Sequence, residues 1–221
     1  MANAATPTYS GRSLLWGRMK GLMTEGKNIG WGIGTSTASA NPNVNLFGPT
    51  TEARTAGTSA LTTSAYLADV YQVVGTITCA VAGKTITEVG LFDTTTLSTT
   101  TTLAASLTAS ATSATFGANP GPVSGNYYIQ VNNETILCTG AGSTTLTVSR
   151  GALGSTAAIQ PSGSVATLGG DGGAYANGTV GGQTASVTAA LGGDMFIHAD
   201  FAGVALNTND SISFTLLDTL T

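Results

Sequence analysis

The chain has 221 residues, enough for one large β domain or two small ones, and its formal net charge is −4. Its seven basic residues form no stripe that would bind nucleic acid, and no apolar run approaches the ~20 residues that span a bilayer. We therefore expect neither nucleic acid nor a membrane as a partner. Only 8% of the residues are charged, so Thr, Ser, Asn and Gly must make up much of the solvent-exposed surface. Such a surface favours burial against another protein; the alternative is a monomer rich in surface hydroxyls.

The first 27 residues are predicted to form a docking arm, either extended or with a short helix. Four of the seven basic residues lie here, and apolar side chains recur with helical spacing, although Gly17 and Gly21 weaken a helix. A basic amphipathic segment suits an acidic partner surface. The predicted partner-binding residues are Arg12, Leu15, Arg18, Met19, Lys20, Leu22 and Met23. Residues 1–8 lack the charged-then-apolar pattern of a secretion signal, so export by that route is not expected.

The fold class predicted is all-β, and residues 28–103 and 168–221 are predicted to form one scaffold, a β-sandwich or a jelly-roll-like fold. Residues 28–35 place Trp31 and its apolar neighbours on one side and three alternating glycines on the other, where another backbone can approach closely. Further strands are predicted at residues 66–81, 85–92, 195–201 and 211–217, with a turn at 207–210.

Residues 104–167 are predicted to be a small inserted β module that projects outward from the scaffold. Its predicted strands, at residues 127–132, 135–139 and 146–149, are shorter than those of the scaffold. The Thr/Ser/Ala-rich residues 94–115 and the Gly-rich residues 168–182 flank them and are interpreted as linkers. Insertion at an exposed turn is tolerated because few backbone hydrogen bonds are broken there.

The two cysteines, Cys79 and Cys138, lie in strand-like segments of different modules. Because Cys behaves as a small apolar residue, buried free thiols are predicted; a disulfide is the alternative. Arg150, beside a strand end of the insert, is predicted to hold loop carbonyls or to pair with a carboxylate such as that of Glu134. Its functional alternative is to bind a glycan or a partner.

No catalytic residue, metal site or cofactor is predicted, and the chain is not expected to be an enzyme. Its one histidine, His198, is close enough to contact Asp200 on the same strand face, but a metal needs several converging ligands and a serine triad needs an oxyanion hole. We interpret His198 as a polar residue on a strand face. Acidic residues near the C-terminal hairpin are interpreted as turn caps, with a glycosidase pair as the alternative: Asp194, Asp200 and Asp210.

Three strand-like stretches carry motifs that occur together in a known family. Residues 30–35 read GWGIGT, residues 86–93 read ITEVGLFD and residues 206–212 read LNTNDSI. Together they resemble a family of small virion structural proteins of tailed bacteriophages. Asn209 stands where the family pattern has Gly, which is expected to change the turn but not the strand pairing.

The insert resembles a second phage module, whose signature is RGxLGT. Residues 150–156 read RGALGST. In that module a His usually follows shortly afterwards, whereas this chain has Gln160, so no role of that His is carried over.

These resemblances imply a bacteriophage virion structural protein, and a capsid decoration or cement protein is the first expectation. Its partners would be the major capsid protein and copies of itself, most simply a trimer on a capsid symmetry axis. It would be made in the host cytoplasm and lie on the outer surface of the particle. The alternatives are a tail, baseplate or fibre component that contacts host glycans and, from another class, a polysaccharide-active enzyme.

Overall fold

The computed structural model describes residues 6–7, 25–34, 45–63, 70–120, 127–139, 143–169 and 195–219. In this part of the chain the protein is all-β, which confirms the predicted fold class. The strands are β1 (Thr6–Pro7), β2 (Asn28–Gly32), β3 (Thr55–Ala56), β4 (Thr58–Thr62), β5 (Val70–Thr78), β6 (Lys84–Phe92), β7 (Thr100–Thr102), β8 (Ser113–Thr115), β9 (Tyr127–Val131), β10 (Glu134–Thr139), β11 (Thr145–Ser149), β12 (Val165–Leu168), β13 (Met195–Leu206) and β14 (Ser211–Thr219). The partner-binding residues predicted between positions 12 and 23 lie outside the described residues.

Two antiparallel sheets form the scaffold. The larger has the strand order β1-β13-β6-β2-β3, and the smaller has the order β14-β5-β4. Each contributes alternate apolar side chains to one shared core, which is the arrangement of the predicted sandwich. The buried members of this core are Ile29, Trp31, Val73, Ile77, Cys79, Ile86, Val89, Leu91, Phe196, Ile197, Phe214 and Leu216. Within the described residues, no helix is long and apolar enough to cross a membrane.

The turn between β13 and β14 closes one end of the sandwich. The Asn209 amide donates to the Cys79 carbonyl (2.7 Å), and the Cys79 amide donates to the Asp210 carbonyl (2.8 Å). The Asp210 carboxylate accepts from the Asn207 amide at 2.7 Å, which confirms its interpretation as a turn cap. Asn209 has φ 73°, the left-handed conformation that Gly favours and Asn tolerates. Asn209 can therefore occupy this turn position without disturbing the register of β14.

The insert is a six-stranded antiparallel sheet with the order β7-β12-β9-β10-β11-β8. Its two outer strands meet through a bridge between Leu103 and Phe116, and the Ala104 amide donates to the Thr115 carbonyl at 2.8 Å. The sheet therefore curls into a small barrel around its own core. The buried core residues are Leu103, Leu107, Ala114, Phe116, Tyr127, Ile129, Val131, Ile136, Cys138, Leu146, Val148, Ala166 and Leu168.

The interpretation of residues 94–115 as a linker is wrong for most of that segment. Strands β7 and β8 lie in it, and both Leu103 and Leu107 are buried in the barrel core. These strands have only three residues each, so the apolar alternation that identifies longer strands is absent. The sheet of the insert runs from Thr100 to Leu168, four residues before and one residue beyond the predicted span of 104–167.

Both thiols are free and buried, as predicted, one in the core of each module. Burial raises the pKa of Cys138 to about 12, which suppresses the reactive thiolate. We expect neither cysteine to react with iodoacetamide in native buffer, and both to react in denaturant. Mass spectrometry of the two cysteine peptides checks this, and rapid labelling of either thiol in native buffer would contradict the burial. Cys79 then reports on unfolding of the scaffold and Cys138 on unfolding of the barrel.

Candidate functional site

The close backbone approach predicted for the glycine side of residues 28–35 is found at Gly34, just beyond β2. Residues 48–50 pair with the edge of this segment: the Ile33 amide donates to the Gly48 carbonyl at 2.8 Å, and Gly32 and Pro49 form a bridge. A Cβ on Gly34 would come within 2.5 Å of the Gly48 nitrogen, and a Cβ on Gly32 would come within 2.2 Å of a carboxylate oxygen of Glu88. Glycine is therefore required here for close approach.

The carboxylate of Glu88 fastens residues 45–50 to the sheet. Glu88 is fully buried in the middle of β6. Its Oε1 accepts from the amides of Gly34 (3.1 Å) and Gly48 (2.8 Å), and its Oε2 accepts from the amide of Phe47 (3.0 Å). Because these three amides lie outside the strand ladder, Glu88 supplies the acceptors that they would otherwise lack. We call Glu88 with these amides the carboxylate anchor.

His198 completes this anchor from the neighbouring strand β13. Its Nε2 lies 3.0 Å from Glu88 Oε2 and 3.7 Å from Asp200 Oδ1, so the shared strand face does bring His198 and Asp200 close together. The His198 tautomer with its proton on Nε2, which donates to Glu88 Oε2, is assigned from this hydrogen-bond network. The histidine is on a strand face, as predicted, but it is 1% exposed and its ring packs edge-on against Phe47.

Glu88, His198 and Asp200 each offer a metal-ligand atom, and the three atoms lie within 4.8 Å of one another. Sequence reasoning missed this grouping because Glu88 and His198 are 110 positions apart. In the structure, however, the oxygens of Glu88 already accept three amide hydrogen bonds and one from His198. The hydrogen bonds of this cluster therefore anchor the backbone of residues 45–50 to the sheet.

A second polar group, centred on Asn45, holds both of the segments that connect the scaffold to the insert. The Asn45 Nδ2 donates to the Ser98 hydroxyl, just before β7, and to the Leu168 carbonyl (2.8 Å), at the end of β12. Asn45 is fully buried. A single side chain thus ties the entrance of the insert to its exit, and we call it the junction clamp.

Arg54 reinforces the junction clamp on the entrance side. Its guanidinium lies 3.4 Å above the ring of Phe92 and donates to the carbonyl of Thr96 (2.8 Å) and to the Ser98 hydroxyl (3.1 Å). Burial lowers the pKa of Arg54 to about 9, an effect that the charge of Asp93 opposes. A cleft of about 170 Å³ lies beside this guanidinium, and its lining includes Arg54, Glu52 and Ser98.

The insert has its own polar knot, built on Glu134 and Arg150, and this pairing confirms the prediction for Arg150. Arg150 Nε donates to Glu134 Oε1 at 2.7 Å and Nη2 donates to Oε2 at 2.5 Å. The guanidinium also donates to the carbonyls of Thr108 and Ala158, which lie in two separate loops. Burial alone would raise the pKa of Glu134, but the hydrogen bonds from Arg150 and Gln160 outweigh it and lower the pKa.

The RGALGST stretch turns sharply around this knot. Gly151 (φ 62°), Leu153 (φ 54°) and Gly154 (φ 83°) are all left-handed. The Gly151 amide donates to Glu134 Oε1 at 3.0 Å. The Gln160 Nε2 donates to Glu134 Oε2 at 3.1 Å. The glutamine therefore has a structural partner of its own, and the motif serves to shape a loop.

Acid is expected to destabilise the protein through its buried carboxylates. Burial alone would raise the pKa of Glu52, but hydrogen bonds from Lys84 and Thr50 lower it to about 2. A depressed folded-state pKa stabilises the fold above the ordinary value of 4.5, and this stabilisation is lost as the pH falls towards about 2. Melting temperatures measured across this range should fall steadily, and less steeply in a Glu52→Gln variant. A flat profile in the parent protein would contradict the assignment.

Comparison with known proteins adds no relative: neither the models of protein families nor the curated proteins give a match to this chain. The function therefore has to be inferred from the side-chain clusters described above. In these clusters the carboxylates of Glu88 and Glu134 accept hydrogen bonds from backbone amides and from neighbouring side chains.

Proposed function

We propose that the chain is a structural protein of a tailed-phage virion, a capsid decoration or cement protein that binds the outer capsid lattice and stabilises it. Each contact that forms only in the assembled particle adds free energy against disassembly by mass action. The proposed partners are the major capsid protein and further copies of this chain, arranged as a trimer. The proposal includes no enzymatic activity.

The observation that carries this proposal is that the buried ionisable side chains hold loops of the protein in place. Glu88 with His198 holds residues 45–50, and Glu134 with Arg150 holds the loops of the insert. In an active site such groups commonly face a substrate cleft, whereas Glu88 and Glu134 are hydrogen-bonded to the backbone of loops. The sparse charge of the chain and the GWGIGT, ITEVGLFD and RGALGST stretches support the same proposal.

Attachment is proposed to use the N-terminal arm, with the scaffold behind it and the barrel on the far side. Residues 25–27 already touch the scaffold: the Gly57 amide donates to the Lys27 carbonyl at 2.9 Å, and the Tyr71 hydroxyl donates to Glu25 at 3.1 Å. Removal of residues 1–24 keeps these contacts but takes away β1, the two-residue edge strand that pairs with β13. It should reduce attachment while leaving the protection of Cys79 unchanged.

Copy number per particle tests the proposal. Particles are purified from a host culture that produces the chain, and the chain is quantified against the major capsid protein by mass spectrometry. Hundreds of copies per particle are expected, since a decoration protein follows the capsid lattice. A handful of copies would instead place the chain in the tail, baseplate or neck, and its absence from particles would overturn the virion assignment.

A further inference from the structure

The smaller sheet of the scaffold presents an uncharged outer face. Alternation along β4, β5 and β14, together with their register, identifies the side chains that point away from the core. They are Thr58, Ala60, Thr62, Val70, Gln72, Val74, Thr76, Thr78, Ser211, Ser213, Thr215 and Leu217, of which Val70 is buried. None carries a charge, and Val74 and Leu217 are 41% and 47% exposed. Copies of such a face can meet without bringing like charges together.

Some hydroxyl groups on this face already form hydrogen bonds with each other within one chain. Thr76 and Ser213 share a hydrogen bond of 2.6 Å across the strands, and Thr78 and Ser211 share one of 2.8 Å. Polar atoms that already have partners are less costly to desolvate. The face is therefore better suited to burial than its hydroxyl content alone suggests.

Both edges of the same sheet lack the features that normally protect an edge strand. In the described residues, β14 and β4 each pair only with β5. β14 runs nine residues in unbroken register, without Pro or Lys, and its one charged residue, Asp218, is next to its end. β4, with the sequence TSALT, has no charge, and its Leu61 is 67% exposed. Such edges are templates for a further strand.

We infer that this sheet is the surface through which the chain associates with copies of itself, with β14 of one copy beside β4 of the next. A two-fold pairing of β14 with β14 would leave β4 bare, whereas a head-to-tail contact covers both edges and can close into a ring. Three copies then place nine strands around the axis, with the uncharged faces turned towards it. The inference rests on the proposed homo-oligomer and names its surface.

Two edge variants test this arrangement. Thr215→Lys and Ala60→Lys each place one charge on an exposed position, on β14 and β4 respectively, and Thr147→Lys on the exposed side of β11 is the matched control. Masses are measured by light scattering at micromolar concentration, and alkylation of Cys79 verifies that each variant is folded. The parent and the control should have three times the chain mass of 21.9 kDa, and each edge variant alone should have the mass of one chain.

Mixing the two variants gives the sharpest outcome. The Thr215→Lys chain keeps an intact β4 and the Ala60→Lys chain keeps an intact β14, so a 1:1 complex should form. If Ala60→Lys alone keeps the parent mass while Thr215→Lys does not, the contact is two-fold and the head-to-tail arrangement is overturned. If both variants keep the parent mass, the surface is elsewhere, although the proposed oligomer stands. A parent that is monomeric both free and on the particle overturns the proposed oligomer itself.

Discussion

The Glu88→Ala variant is expected to lose about 3–5 kcal/mol of unfolding free energy, the usual cost of removing one partner from a buried charged network. The substitution leaves the amides of Gly34, Phe47 and Gly48 without their acceptor and leaves His198 Nε2 without its nearest partner. For a chain of this size, that corresponds to a drop in melting temperature on the order of 10 °C. Calorimetry measures the drop, and alkylation of Cys79 shows that the scaffold is the part affected.

Two further variants separate the carboxylate anchor from a general effect of lost charge. Glu88→Gln keeps one carbonyl oxygen but presents an NH₂ group to a donor, so its loss should be intermediate. Lys27→Gln removes a more exposed ion pair with Glu25 and should cost less than about 1 kcal/mol. If Glu88→Ala melted no lower than Lys27→Gln, residues 45–50 would not depend on the anchor.

The Glu134→Ala variant is expected to unfold the barrel while the scaffold stays folded. The substitution leaves the Arg150 guanidinium without its ion-pair partner. Because this side chain is only 5% exposed, its charge stays buried and uncompensated, which costs about 3–5 kcal/mol of unfolding free energy. A module of about 70 residues has little stability in reserve. In native buffer Cys138 should therefore become reactive to alkylation, while Cys79 stays protected.

The pairing geometry, rather than the charge alone, should matter for this knot. Arg150→Lys keeps the charge but cannot make the bidentate contact or reach the carbonyls of Thr108 and Ala158 together, so partial exposure of Cys138 is expected. Thr147→Ala, on the exposed side of β11, should leave both thiols protected. Equal labelling of Cys79 and Cys138 in Glu134→Ala would mean that the two modules unfold as one.

Local patterns predicted much of this fold because the scaffold strands are long. The alternation at residues 85–92 and 211–217 identifies β6 and β14 to within two residues, and the alternating glycines indicated the close backbone approach that occurs at Gly34. Arg150 and Glu134 were paired correctly because the hairpin of β9 and β10 leads into β11, which keeps both residues in one small sheet.

The carboxylate anchor and the junction clamp could not be predicted, because their members are far apart in the chain. Glu88 binds residues 40 positions before it and a histidine 110 positions after it. In the sequence Glu88 is simply one polar residue in a strand. Asn45 likewise meets Leu168 across 123 positions. The only signal was indirect: a charged residue in the centre of an apolar strand needs a buried partner.

The central claim is that the scaffold attaches to the particle and the barrel is displayed outward. A cryo-EM reconstruction of particles carrying the chain tests it most directly, because the sandwich and the six-stranded barrel differ in shape. The expected map has the sandwich in contact with the capsid surface, its smaller sheet turned towards the neighbouring copies, and the barrel projecting into solvent. A map in which the barrel contacts the capsid, or in which the chain lies inside the shell, would contradict the claim.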